Sequence, residues 1–304
     1  MRDKLHMDAP LSLGFIGTGN MGMGMLKRWL NHGEHALFCD IDPERQAQGL
    51  AAGGTLQDSP ARLARALSQN ALLVIAVVTA DETLEVLWGE QGAAKHLVPG
   101  QCVMLCPTIA PEDTIAIARR LQEHGVSCID APMSGGPLRA EQGTMSLMVA
   151  CSKADFMDHK PTLDALANPV FHVSERIGDG ARTKLVNNLL AGIHLVGAAE
   201  VLLLAGRMGL NLPTTLSVIE QSSGQSWIGS NRMHRALAGA QDIQAHMSLL
   251  AKDTGLAIAA AAHEGYRPPL GHQAALTFAA ALAAGWADKD DSAMLDWLRE
   301  YSGN

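Results

Sequence analysis

Lys184, Asn187 and Asn188, in the run GDGARTKLVNN that begins at Gly178, are the residues of this chain best placed by type and spacing to do chemistry. A lysine can give or take a proton, and two amides can hold a polar ligand by donating and accepting hydrogen bonds. Steps of i, i+3 and i, i+4 put all three on one face of a helix. The proline-free segment that follows, LVNNLLAGIHLVGAAEVLLLAGRMG, is too apolar for an exposed surface helix, so Lys184 is expected against a packed interior. A partly desolvated lysine exchanges protons near neutral pH.

A second group of residues suits phosphate. The apolar run LSLGFIG (11–17) ends in Gly17, Gly19 and Gly22, and an amphipathic helical pattern follows up to Gly33. Strand, glycine turn and helix in that order match a dinucleotide-binding unit. Gly17 allows the tight turn, Gly19 lets the backbone approach a pyrophosphate, and Gly22 allows close helix packing, while the helix N-terminus supplies amides and positive dipole. The expected cofactor turn comprises Gly17, Thr18, Gly19, Asn20, Met21 and Gly22. The next apolar run, HALFCD, ends in Asp40, 18 residues past Gly22, near the usual position of a ribose-binding acid. Such an acid accepts hydrogen bonds from ribose hydroxyls and repels a 2'-phosphate, so NAD is expected over NADP. The alternative is that Asp40 caps the helix starting at Pro43 or simply ends a strand.

A third candidate is the loop DAPMSGG (130–136), in which Ser134, Gly135 and Gly136 would expose consecutive amides beside a hydroxyl. That is a cradle for a substrate carboxylate, or else an ordinary turn. Lys252 and Asp253 interrupt an apolar helical segment and need partners, either a cofactor for Lys252 or an ion pair. Trp227 and Asn231 face the substrate or belong to the core. His194 reads as a buried, satisfied histidine rather than a ligand.

The elements that position these residues follow from periodicity. Strand-like runs at ALLVIAVV (71–78), CVMLC (102–106), VSCIDAP (126–132), MSLMVAC (145–151) and VFHV (170–173) are mostly separated by helical patterns. Ser59 before Pro60 reads as an N-cap, and Asp81 and Pro111 mark similar starts. Alternation of this kind predicts a doubly wound, mainly parallel α/β sheet. Ligands there bind beyond the carboxyl ends of the strands, which makes Val78, Thr79 and Thr108 candidates to line a cofactor; Thr108 reads equally as a capping hydroxyl before Pro111. From about residue 178 onward the pattern is helical, near 180–208, 213–222, 228–238, 246–264, 272–284 and 291–300. The expected organisation is a Rossmann-type domain over 1–177, with residues 1–10 as an N-terminal extension, and an all-helical domain over 178–304. Lys184 would then lie at the junction, where clefts usually form.

Composition sets the class. The 304 residues are 47% hydrophobic and 18% charged, which describes a well-buried globular chain. The net charge of -8 is spread along the sequence, and no basic cluster interleaves with aromatics, so no nucleic-acid partner is expected. Cys39, Cys102, Cys106, Cys128 and Cys151 lack metal-ligand spacing and read as buried thiols, and no metal site is expected. A polar N-terminus and apolar runs broken by His194, Glu200 and Arg207 point to a cytoplasmic protein without a membrane partner. The apolar helix after Lys184 suggests burial against another copy, in a homodimer or homotetramer.

Together the motifs resemble the β-hydroxyacid dehydrogenase family, which includes 3-hydroxyisobutyrate dehydrogenases, tartronate semialdehyde reductases and L-threonate dehydrogenases. GFIGTGNMG is similar to its cofactor signature, DAPMSGG to its substrate loop, GDGARTKLVNN to its catalytic signature and Lys252-Asp253 to its C-terminal cofactor motif. The resemblance spans nearly the whole chain. It implies that Lys184 is the catalytic acid/base, that Asn188 helps hold substrate, that Ser134, Gly135 and Gly136 bind its carboxylate, and that Thr108 and Lys252 lie near the nicotinamide. Where the family commonly has Asp-x-Ser-Thr, this chain has Leu105, Cys106, Pro107 and Thr108. The end of the chain looks most like the L-threonate branch. The activity implied is reversible hydride transfer between a nicotinamide and a small hydroxy carboxylic acid. An imine or other carbonyl reductase on the same scaffold, and a protein that binds NAD without turnover, are the competing readings. A decarboxylating sugar-phosphate dehydrogenase would need a longer chain and an arginine cluster for phosphate.

Overall fold

The computed structural model describes residues 13–302, so the extension expected over residues 1–10 lies outside the described residues. The chain divides into two compact units, one ending at Lys184 and the other beginning at Leu185.

The first unit is built on one sheet: β1 (Leu13–Ile16), β2 (Ala36–Cys39), β3 (Thr55–Leu56), β4 (Leu72–Ile75), β5 (Cys102–Leu105), β6 (Ser127–Asp130), β7 (Met133–Ser134), β8 (Ser146–Ala150) and β9 (Val170–Ser174). Their spatial order is β3-β2-β1-β4-β5-β6-β8-β7, with β9 paired to β8. Every pairing from β3 to β6 is parallel. Beyond it, β8 runs antiparallel to β6 and β7 and parallel to β9. All four positions of β1, β4 and β5 are buried, the signature of strands covered on both faces. Successive residues feed opposite cores: Leu72 and Val74 pack with Phe15, Met104 and Ile129, whereas Leu73 and Ile75 pack with Ile16, Val103 and Leu105. This is the expected doubly wound, mainly parallel arrangement. The two-residue strands β3 and β7 were not expected, because neither is long enough to show a period.

The covering helices are α1 (Asn20–Leu30), α2 (Pro43–Ala51), α3 (Pro60–Ala66), α4 (Ala80–Trp88), α5 (Pro111–Gln122), α6 (Gly136–Gln142) and α7 (Lys153–Leu166), followed by the long α8 (Asp179–Arg207). Ser59 caps α3 by accepting from Arg62 N, with Pro60 in the first turn as its sequence predicts. Pro111 likewise opens α5. Asp81 does not open its helix. There Thr79 is the N-cap, its hydroxyl accepting from Glu82 N while Glu82 reaches back to the Thr79 amide, so Asp81 falls inside the first turn. A reciprocal box satisfies two orphan amides and wins over a single acid two residues later. The five cysteines are buried and free, and desolvation raises each thiol, Cys39 to about 11 and Cys151 to about 12.

In the second unit, α8 continues into α9 (Leu212–Glu220), α10 (Trp227–Leu237), α11 (Met247–His263), α12 (Pro269–Ala283) and α13 (Met294–Tyr301), and it contains no strand among the described residues. Its core gathers Leu195, Ala199 and Leu202 from α8 with Met233, Phe278 and Trp297. Although α8 is long and apolar enough by length and composition to cross a membrane, one side of it forms this core. The buried stripe recurs every three or four residues, through Lys184, Asn188, Gly192, Leu195, Ala199 and Leu202. His194 falls off that stripe and is exposed, contrary to its sequence reading. The opposite side carries exposed Val186, Leu190, Val201 and Leu204.

Candidate active site

The carboxyl end of β1 delivers the glycine turn. Gly17 has φ +87°, a backbone that favours glycine, and its amide donates to Cys39 O at 3.0 Å. A Cβ on Gly22 would lie 2.1 Å from Gly17 O, so only glycine lets α1 start this close to the turn. At Gly19 a Cβ would meet nothing within 4 Å: the backbone faces open space ahead of the α1 N-terminus. A turn with exposed backbone in front of helix amides fits a dinucleotide pyrophosphate. Around it, Asn20 Oδ1 accepts from the Arg45 guanidinium at 2.9 Å, and Met21 packs partly buried against the sheet core.

Asp40 ties this turn to the next element. Its Oδ2 accepts from Thr18 N at 2.5 Å and from the Thr18 hydroxyl at 2.9 Å, and its Oδ1 accepts from Asp42 N at 2.9 Å. The capping alternative belongs to Asp42 instead, which accepts from Glu44 N at 2.8 Å. A carboxylate offers about four acceptor positions, and these three bonds leave room for a further donor.

At the carboxyl ends of β4 and β5 the outcomes differ. Val78 is half exposed, and its amide and that of Thr79 donate to Glu82 Oε2 at 2.7 and 3.3 Å. The Thr79 hydroxyl is the cap described above. The capping reading of Thr108 is not realised at the N-cap of α5, since Ala110 occupies that position without a side-chain acceptor. Thr108 is half-buried just after β5.

Lys184 meets the third candidate directly. Its ammonium donates to the carbonyl of Met133 at 2.6 Å, with the lysine 7% exposed. Met133 and Ser134 form β7, Gly135 and Gly136 follow with φ +137° and +79°, and Gly136 opens α6. The SerGlyGly segment is thus a strand-to-helix junction, not a free turn, and Ser134 is pinned by antiparallel pairing with Ser146. The lysine and the loop, 51 residues apart in sequence, share one place in the first unit.

Asp130, the first residue of the DAPMSGG run but one given no role of its own there, lies at the end of β6. Only 2% exposed, its Oδ2 accepts from Gly178 N at 2.9 Å and Ala181 N at 3.1 Å. Burial pushes its carboxyl up to about 6, while the amides of Ala181, Gly178 and Gly180 pull it down. A charged residue ending a buried strand was the available signal, since such a group needs partners.

In the second unit, Asn188 Nδ2 donates to Asp253 Oδ2 at 2.5 Å, and Lys252 pairs with Asp253 Oδ1 at 2.7 Å. The ion-pair reading of Lys252 and Asp253 is therefore realised, and it extends to Asn188. Asn187 departs from the single-face expectation: it is exposed, and its amide donates to Asn188 Oδ1 at 2.9 Å. Trp227 is half exposed at the start of α10, and Asn231 Oδ1 accepts from Arg232 at 2.5 Å.

Known proteins carry the same organisation. Residues 12–174 match the family described as the NAD binding domain of 6-phosphogluconate dehydrogenase, and residues 178–298 match that described as NAD-binding of NADP-dependent 3-hydroxyisobutyrate dehydrogenase. An L-threonate dehydrogenase of Cupriavidus necator is 34% identical over 284 residues, 93% of this chain and 95% of its own length. The NAD-dependent L-serine dehydrogenase of Pseudomonas aeruginosa is 32% identical over 92% of this chain and 95% of its own length. Among solved structures, a 3-hydroxyisobutyrate dehydrogenase from Salmonella typhimurium superposes with a TM-score of 0.85 at 35% identity, covering 94% of this chain and 99% of the other.

Proposed function

This chain belongs to the β-hydroxyacid dehydrogenase family and is an oxidoreductase of the nicotinamide-dependent kind, and from that premise we propose that it oxidises a small hydroxy carboxylic acid of the L-threonate, 3-hydroxyisobutyrate or glycerate class, with Lys184 as general acid/base. The observation that carries this reading is the Lys184 ammonium 2.6 Å from the Met133 carbonyl, one residue before Ser134. A buried cation beside a serine and two glycine amides is suited to an anionic substrate whose reacting oxygen needs a proton partner.

The roles follow from what each group can donate. Ser134, Gly135 and Gly136 hold the substrate carboxylate by hydroxyl and amide donors. Asn188, one helical turn beyond Lys184 on α8, holds a substrate oxygen with its amide, kept in one orientation by Asp253. The nicotinamide, when bound, supplies the hydride acceptor for oxidation and the donor for reduction. Lys184 in its neutral form takes the carbinol proton as the C–H electron pair leaves, and its ammonium returns that proton in the reverse direction. Fixing the carboxylate sets the distance from carbinol to lysine, which turns binding into orientation.

The dinucleotide is held by Gly17, Thr18, Gly19, Asn20, Met21 and Gly22, with Val78, Thr79, Thr108 and Lys252 lining its remainder. Asp40 favours NAD over NADP, because a carboxylate fixed by three donors repels a 2'-phosphate. The exposed apolar side of α8 supports a homodimer or homotetramer, and the enzyme is assigned to the cytoplasm. The limits of the two matching families, 174 and 178, support domains over 1–177 and 178–304, although chain contacts divide the compact units seven residues later, after Lys184.

An NAD-reduction screen with L-threonate, D-threonate, 3-hydroxyisobutyrate, glycerate, 3-hydroxypropionate and L-serine tests the reading, with the amide of the best substrate as control. Turnover of one acid, loss with its amide, and a kcat lowered about 10²- to 10⁴-fold by Lys184→Ala at retained NAD affinity are expected. Near-normal turnover by Lys184→Ala overturns it.

A further inference from the structure

We infer that Asp130 is a positioning residue for Lys184: its carboxylate fixes the first turn of α8 on the strand that leads into the substrate loop, and so sets where the lysine amine stands. The inference rests on the reading of Lys184 above, and every contact it uses lies within the first unit.

Three observations converge. First, the acceptor is placed at the helix start. Asp130 Oδ2 receives the amides of Gly178 and Ala181, two donors that α8 cannot satisfy internally. An ionised acceptor at this end also complements the helix dipole. Second, the approach is as close as the chain permits. A Cβ on Gly180 would lie 2.8 Å from Asp130 Cγ, 2.8 Å from Asp130 O and 2.7 Å from Met148 O, so this turn can seat itself on β6 and β8 only with glycine there. Third, the same short stretch, Asp130 to Met133, holds the lysine at both ends of its lever. Asp130 grips the backbone one turn before Lys184, and Met133 O receives its ammonium at 2.6 Å. Amine and loop therefore move together, as parts of one strand end.

The alternative is that Asp130 is only a buried cap whose loss weakens the fold. Capping strength and lysine placement separate experimentally, because stability, cofactor affinity and amine position are read by different measurements. Asp130→Asn keeps the shape but removes the charge that the amides face. Gly180→Ala keeps the charge and instead forces the turn away from β6.

The test measures three quantities on the full-length enzyme and both variants: kcat and the KM for NAD with the best acid of the screen, and the rate at which Lys184 is acetylated by acetic anhydride, followed by peptide mass spectrometry. Displacement of a reacting group by about 1 Å costs on the order of 10²-fold in rate. Each variant is thus expected to lower kcat about 10- to 100-fold with KM for NAD within about twofold, and to label Lys184 about fivefold faster or more. The double variant is expected to be little worse than either single one, because both release the same turn. Unchanged kcat and unchanged Lys184 labelling in a variant that melts earlier overturn the inference and leave Asp130 a structural cap. If one variant fails to give a cooperative melt, the other carries the test. Failure of the catalytic reading looks different: Lys184→Ala then keeps its turnover, while the labelling rates still report whether Asp130 places the amine.

Discussion

Replacing Gly19 by alanine separates cofactor binding from folding, because the two effects on this residue have opposite signs. Gly19 has φ -61° and ψ -166°, a conformation alanine adopts without strain, and its added Cβ would meet nothing within 4 Å. A compatible Gly→Ala change stabilises by about 0.4–1 kcal/mol by narrowing the unfolded ensemble. For a unit of this size about 1 kcal/mol shifts Tm by roughly 2–4 °C, so the variant without ligand is expected to melt about 1–4 °C higher. The same methyl group fills the space in front of the α1 N-terminus, where the proposed pyrophosphate site lies. Losing a charge-assisted hydrogen bond there costs about 1.5–3 kcal/mol, which weakens dinucleotide affinity roughly 10- to 150-fold. Gly22→Ala is the control: its Cβ lies 2.1 Å from a backbone oxygen, so the helix must shift and both stability and affinity fall. Overpacking of that kind costs about 1–3 kcal/mol. Thermal melts without ligand and titration with NADH by fluorescence decide the matter. A Gly19→Ala variant that melts lower, or that binds NADH within twofold of the parent, refutes the placement of the pyrophosphate.

Other outcomes follow from the same geometry. Asp40→Asn removes the charge held by Thr18 and Asp42, and the ratio of kcat/KM for NAD over NADP is expected to fall about tenfold or more, one lost charge repulsion being worth roughly 1.4 kcal/mol; an unchanged ratio rejects its role. Asp253→Asn leaves Lys252 without its carboxylate and Asn188 without a charged acceptor, so KM for the hydroxy acid is expected to rise about 10-fold or more, for a charged hydrogen bond worth about 1.5–3 kcal/mol; unchanged substrate kinetics count against Asn188 as a ligand. In the second unit, Asp291 is 1% exposed and pairs with Arg232 at 2.5 Å, yet burial pushes its carboxyl from 3.8 up to about 6. A raised folded pKa means that the native state holds the proton longer than the unfolded chain does. The stability it contributes is complete below about pH 4 and lost as pH rises through about 6. The stability of the parent relative to Asp291→Asn should therefore decline between pH 4 and pH 7 in urea melts. A difference that grows with pH contradicts the assignment.

Much of this molecule is written in local pattern. The strands around β1, β4, β5 and β6 are continuous apolar runs bounded by glycine, proline and polar residues, and helices α8 to α13 are long enough for their period to emerge, so both were legible from one sequence. The three candidate motifs stood out for a related reason, since each is a contiguous run whose proposed chemistry depends on neighbours along the chain. Short elements were not: β3 and β7 span two residues each, and their pairing is decided by partners far away in sequence. His194 was misread because an apolar neighbourhood along the chain does not say which side of a helix meets the core.

Residue types and spacing alone determined that this chain makes a dinucleotide-type sheet followed by helices, and they singled out a lysine, a SerGlyGly segment and a glycine turn as the candidates proposed for its chemistry. Only the tertiary structure decided that Lys184 reaches the Met133 carbonyl, that Asp130 takes the amides of the same helix, and that Lys252 pairs with Asp253. The physical reason is range. Backbone preference and amphipathic period act over a few residues, whereas a buried charge chooses its partner from whatever the packed chain brings within about 3 Å.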